Sequence, residues 1–210
     1  MNNSEQVFQL VMAKLVEQVE KVVRSSSTTP VIIAIDGNCG SGKTTYGQRL
    51  AEFYSANLIH CDDFFLPKGM RTAERLDEVG GNIHYERLRA LLSRLKNERP
   101  PHTYRKKLLP YTYRAYDCSS DTYTEKPLLN SKVVIVEGSY ALHPFLREYY
   151  DLKIVLTVDA QTQLERLLSR EGEQGVASFV NKWIPLENKY FQSLDTTDCI
   201  VIDTSVRETN

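Results

Sequence analysis

The chain has 210 residues, enough for one α/β domain that buries its own core without disulfides or metals. Its 41% hydrophobic and 25% charged residues exclude a disordered or fibrous chain, and a formal charge of -1 gives no global field for nucleic acid or an acidic membrane. Cys39, Cys61, Cys118 and Cys199 are widely spaced without a CxxC pair, which argues for reduced thiols over a disulfide scaffold or zinc site.

In chain order, Ser4 to Arg24 carries Val7, Leu10, Val11, Leu15, Val19, Val22 and Val23 at spacings of three and four. That pattern predicts an amphipathic helix, with residues 1–29 forming this helix and a linker. Val31 to Ile35 is a short β-branched run suited to a strand covered on both faces. A glycine-rich turn comes next, then a helix with Tyr46, Leu50 and Phe53 on one side, and a second strand over Asn57 to Cys61. Leu88, Leu91, Leu92 and Leu95 stripe a further helix. Residues from about 99 to 127 hold prolines and tyrosines without periodicity, and they read as a long substrate-side loop or small insertion. Strands are predicted again at Val133 to Val136, Ile154 to Val158 and Ile200 to Ile202, and helices at about Ala160 to Arg170 and Ala177 to Phe191. Strands alternating with helices predict a single α/β domain over residues 1–210, with a parallel sheet of about five strands and helices on both faces.

The sharpest motif is Gly37-Asn38-Cys39-Gly40-Ser41-Gly42-Lys43-Thr44, followed by Thr45. It fits G-x-x-x-x-G-K-[ST] with an apolar strand directly before it and an amphipathic helix directly after. Glycines let successive main-chain N–H groups turn toward phosphate oxygens, and the helix N-terminus adds positive potential. In that pattern Lys43 reaches the terminal phosphates and Thr44 holds Mg²⁺, so the expected ligand is ATP with Mg²⁺.

In an open parallel sheet, ligands gather beyond the carboxyl ends of the strands. Asp62 and Asp63 fall there after the second strand, and Glu137 falls there after Val136. Asp-Asp also suits a cap or turn, and Glu137-Gly138 a surface turn, but the phosphate loop marks this edge as the active one.

Asp36 to Thr45, Cys61-Asp62-Asp63-Phe64-Phe65, Val136-Glu137-Gly138, Tyr116-Asp117 and the helix from Asp159 to Glu171 together resemble the uridine kinase and phosphoribulokinase family of P-loop kinases. Gly80-Gly81-Asn82 and Lys182 to Glu187 are similar to stretches of bacterial uridine kinase-like proteins. The resemblance implies a P-loop NTPase fold with an arginine-bearing lid over about 160–192. It also implies ATP-dependent transfer to a hydroxyl, such as the 5′-OH of a nucleoside, with nicotinamide riboside or pantothenate as other acceptors and a catalytically decayed regulator as another reading. Asp62 then matches the base, with Thr44, Glu137 and Asp62 around the metal and Arg166 and Arg170 over the phosphates. Asp63, His84, Tyr116 and Asp117 become candidate acceptor residues. Cys118-Ser119-Ser120 stands where uridine kinases carry a histidine, which separates this chain from them at the base-holding position.

By their spacing alone, Arg166 and Arg170 also suit a solvated helix face. Tyr104, Tyr111, Tyr113, Tyr116 and Tyr123 lie among Arg105, Lys106, Lys107 and Arg114, a mixture that suits a pinned loop, an acceptor pocket or a nucleic-acid surface. The near-neutral chain argues against nucleic acid. Trp183 is read as core or as packed on the lid. No apolar run is long enough to cross a bilayer, so a cytoplasmic address is expected, with a small-molecule partner, no membrane partner and a homo-oligomer as an option.

Overall fold

The computed structural model describes residues 3–27, 30–97 and 108–205. Helix α1 (Asn3–Ser25) leads into strand β1 (Val31–Gly37), the phosphate loop, helix α2 (Lys43–Tyr54) and strand β2 (Asn57–His60). Two 3₁₀ turns and the short helix α3 (Ala73–Asp77) precede helix α4 (Tyr85–Asn97). An antiparallel pair, β3 (Leu108–Asp117) and β4 (Thr122–Leu129), interrupts the alternation before β5 (Val133–Glu137) and β6 (Leu152–Thr157). Helix α5 (Ala160–Ser178), a π turn at Phe179–Trp183, helix α6 (Ile184–Ser193) and strand β7 (Ile200–Asp203) complete the described chain.

The main sheet is parallel throughout, in the order β2-β5-β1-β6-β7. Strand periodicity divides its side chains between two cores. Ile33 and Ile35 of β1, with Val133 and Ile135 of β5, face Val11, Leu15 and Val19 of α1 and Tyr46 and Leu50 of α2. Ile32 and Ala34, with Val134 and Val136, face Leu88, Leu91, Leu92 and Leu95 of α4 and Tyr190 of α6. The expected five-stranded sheet with helices on both faces is therefore present. The register Ile35↔Glu137 and His60↔Glu137 brings the ends of β1, β5 and β2 to one edge.

Residues 98–107, with Tyr104 and the adjacent basic run, lie outside the described residues. From Leu108 to Leu129 the chain forms an ordered hairpin where the sequence suggested a long loop or an insertion. The helix expected from Ala160 to Arg170 runs on to Ser178, with a local break at Gly172 (φ 69°, ψ 176°).

Candidate active site

The phosphate loop needs its glycines for separate reasons. A Cβ on Gly37 would lie 2.1 Å from the carbonyl oxygen of Leu156 in the neighbouring strand β6, so no side chain fits there. Gly40 and Gly42 adopt left-handed backbone (φ 78° and 89°), which turns the chain back over the start of α2. Gly42 is the N-cap of α2 and has no side-chain capping bond, which leaves the helix start open to an anion. The Lys43 ammonium, nearly buried, donates to the carbonyls of Gly37 (2.7 Å) and Asn38 (3.0 Å).

Asp36, the last acidic group before the loop, is fully buried. It accepts from its neighbour Gly37 N (2.7 Å), from Leu142 N (2.9 Å) and from the Tyr190 hydroxyl (2.7 Å). Burial outweighs these donors and the Lys43 charge, and raises its pKa from 3.8 to about 6. Asp36 thus ties β1, the segment after β5 and helix α6 to the root of the loop.

The strand ends deliver the acidic groups. Glu137, 3% exposed, accepts from the Thr44 hydroxyl at 3.0 Å through one oxygen and sits 2.5 Å from His60 Nδ1 through the other. That hydrogen bond favours the imidazolium and raises the His60 pKa despite partial burial. Thr44 and Glu137 are hard oxygen donors of the kind Mg²⁺ prefers. No group of three or more His, Cys, Asp or Glu among the described residues could hold a metal alone. The donor set therefore fits an ion carried largely by phosphate and water oxygens, the usual manner of nucleotide-bound Mg²⁺.

Asp62 and Asp63 begin the turn after β2 and point to different tasks. Asp63 accepts from the Tyr113 hydroxyl (2.7 Å) and from the Lys126 ammonium (2.8 and 2.9 Å), which fastens the hairpin to this turn. Asp62 opens onto the cavity. Although Asp62 is exposed toward the cavity, the surrounding protein atoms desolvate its carboxylate, and this, followed by the nearby Glu137 charge, raises its pKa above the usual aspartate value; Lys43 opposes the shift.

One cavity of about 730 Å³ joins these parts, and its lining includes Lys43, Thr44 and Thr45 together with Asp62, Phe65, Asn82 and Ile83. Ser139, Tyr140, Arg170 and Trp183 also line it. Arg166 and Arg170 both reach the cavity but differ in attachment. Arg166 donates to the Gly40 carbonyl (2.9 Å) and to the Thr204 carbonyl (2.7 Å), bracing the loop against the end of β7. Arg170 is 56% exposed, pairs with Glu171 (2.6 Å) and lies over the Phe179 ring.

None of the four candidate acceptor residues lines this cavity, and Asp63 is tied to the hairpin. The Tyr116 hydroxyl donates to Asp121 (2.5 Å), and Asp117 accepts from Ser119 and Ser120 in the hairpin turn. His84 accepts from the Arg87 amide at the start of α4, while its neighbours Asn82 and Ile83 line the wall. Other contributors have no site role in the sequence reading. Arg75 donates to the carbonyls of Gly81 and Ile83 (3.1 Å each) and so shapes the Asn82 wall; nothing in its sequence context marks it. Trp183 is a cavity residue, not core, and Glu187 reaches the phosphate loop itself. The stretch containing both was visible as a resemblance, but without a role.

A glycine loop between a parallel strand and a helix, with a carboxylate at the end of the adjacent strand, defines a P-loop α/β protein of the kinase type. The chain belongs to the family whose model is described as an AAA domain, which matches residues 33–181. It is 26% identical over 175 residues to a uridine kinase of Clostridium perfringens, covering 77% of this chain and 81% of that protein. It is 25% identical over 166 residues to the uridine-cytidine kinase C of Dictyostelium discoideum, where the match covers 76% of this chain but only 35% of the longer relative. A Bacillus stearothermophilus structure described as a possible uridine kinase superposes with a TM-score of 0.61 at 18% identity, covering 90% of this chain and all of the other. The resemblance to uridine kinase-like P-loop kinases read from the sequence therefore holds. No helix among the described residues is long and apolar enough to cross a membrane.

Proposed function

We propose that this protein is a kinase that transfers the γ-phosphoryl group of ATP to a hydroxyl of a small molecule, with the 5′-OH of a nucleoside as the leading acceptor. The observation that carries this reading is the shared cavity, in which a phosphate loop faces the carboxylate of Asp62. The relatives named as kinases support phosphoryl transfer as the reaction class.

In this mechanism the loop amides and Lys43 hold the triphosphate, and Lys43 exchanges its carbonyl partners for phosphate oxygens. Thr44 and Glu137, with Asp62 beside them, would hold Mg²⁺, which would supply charge neutralisation to the bound triphosphate. Asp62 orients the acceptor hydroxyl and takes its proton as the oxygen bonds to the γ-phosphorus and the bond to the ADP oxygen breaks. A raised pKa suits this carboxylate to receive a proton. Arg170, held only by an exposed partner and a ring, is free to swing onto the transferring group in a lid role, and Arg166 fixes the loop beneath it.

The acceptor end favours an uncharged, ring-bearing alcohol. Phe65, Ile83, Tyr140 and Trp183 offer flat and apolar surface, and Asn82 offers hydrogen bonds. Of the cations lining the cavity, Lys43 and Arg166 are bonded to the phosphate loop. A screen with radiolabelled ATP across nucleosides, nicotinamide riboside and pantothenate tests the reading. Labelled nucleoside monophosphate is the expected product, labelled pantothenate would overturn the acceptor assignment, and ATP binding without any labelled product would favour the regulator.

A further inference from the structure

Glu187 stands in the first turn of α6 and is 5% exposed. One carboxylate oxygen accepts from the main-chain N–H of Cys39 at 2.7 Å, and the other accepts from the Ser139 hydroxyl at 2.7 Å. A phosphate loop thus already has an anion on one of its own amides, supplied by the chain. Three residues further along the helix, the Tyr190 hydroxyl reaches Asp36 at the root of the same loop. Residues three apart share a helix face, so α6 is fastened to the loop at two successive points.

The sheet order says which part of the nucleotide meets this carboxylate. Cys39 follows β1, Ser139 follows β5 and Asp62 follows β2, and these strands are neighbours in the order β2-β5-β1. Glu187 bridges the first two, on the side of the loop that leads to Asp62. Thr44, at the start of α2, reaches the end of β5 through Glu137. The phosphoryl group nearest Asp62 is the terminal one, because it must reach the acceptor there.

We propose that Glu187 is a specificity-determining residue of the nucleotide site, whose carboxylate on the Cys39 amide lowers affinity for the third phosphate relative to the second. This rests on the kinase reading above. A fixed negative charge in a partly desolvated site repels an arriving phosphoryl charge more strongly than it would in water. It also engages an amide that would otherwise be available to a phosphate oxygen. The diphosphate lacks the terminal group and feels less of this field. Glu187 therefore loosens the ground-state complex with ATP without equally loosening the ADP product complex. Its hydrogen bonds meanwhile keep the Cys39 limb and Ser139 in place.

The test measures calorimetric affinities of magnesium-ATP and magnesium-ADP for the wild-type chain and for Glu187→Gln. The amide keeps an acceptor for Cys39 N and can donate to Ser139 Oγ, so chiefly the charge changes. The expected result is a rise of about tenfold in the ratio of ATP to ADP affinity. An unchanged or lowered ratio would overturn the assignment. Glu187→Ala supplies the same readout should the glutamine variant fold poorly, because loss of a mere brace weakens both nucleotides alike and leaves the ratio fixed. If the wild-type protein bound neither nucleotide, the kinase reading itself would fail, an outcome distinct from an unchanged ratio.

Discussion

The Lys126 ammonium lies 2.8 and 2.9 Å from the two carboxylate oxygens of Asp63, across 63 positions of sequence. With the Tyr113 hydroxyl on the same carboxylate, this pair commits Asp63 to holding the β3–β4 hairpin. Asp62, its neighbour, is left facing the cavity.

The two aspartates should therefore separate by mutation. Asp62→Asn is expected to lower kcat by at least about a hundredfold while nucleotide affinity changes little, since the proton acceptor is lost but the loop, Lys43, Thr44 and Glu137 remain. Asp63→Asn is expected to lower stability by about 1–2 kcal/mol through loss of a partly buried charged contact, with a smaller effect on kcat. Steady-state kinetics beside urea denaturation distinguish them, and equal kinetic losses would contradict the division.

The arginines of α5 should separate as well. Arg166 is bonded to Gly40 and Thr204, so Arg166→Ala removes a brace and is expected to lower stability by about 1–3 kcal/mol together with ATP affinity. Arg170→Ala should leave the melting temperature nearly unchanged and cut kcat by about a hundredfold, through loss of a cation from the transferring group. Thermal melts with single-turnover rates provide the check.

Asp36 gives the fold a pH signature. Its folded pKa is raised from 3.8 to about 6, so the protonated form is the one folding favours. That contribution is fully present below the unfolded value of 3.8 and is lost as pH rises through about 6. Stability should fall by about 2–3 kcal/mol from this group alone between those limits. The slope should be shallower by this amount in Asp36→Asn, even though the amide is less stable overall because it accepts fewer hydrogen bonds. Urea midpoints for both proteins between pH 4 and 7 measure the difference.

Local features were legible in the sequence, and long-range partnerships were not. The β1–loop–α2 unit reads directly, because the β-branched run, the glycines and the helix are contiguous. Glu137 could be placed at the active edge because a strand end fixes its position. Which of Asp62 and Asp63 faces the cavity could not be read, since it depends on Tyr113 and Lys126 in a hairpin some fifty to sixty residues away. That hairpin was itself obscured. Pro110 and Pro127 break the strand pattern, and Tyr113, Ala115 and Tyr116 are all buried, without strict alternation. Arg166 and Arg170 look equivalent on a helical wheel, yet only one meets the Gly40 carbonyl. Glu187 carried no motif, and its meaning appears only when α6 packs against the loop.

The proposed chemistry depends most on the triphosphate grip of residues 37–45, which titration calorimetry with magnesium-ATP tests directly. Saturable one-to-one binding is expected, weakened sharply when magnesium is chelated and weakened again in Lys43→Ala. A folded wild-type protein that gave no magnesium-dependent heat with ATP would contradict the claim that this loop holds a nucleotide.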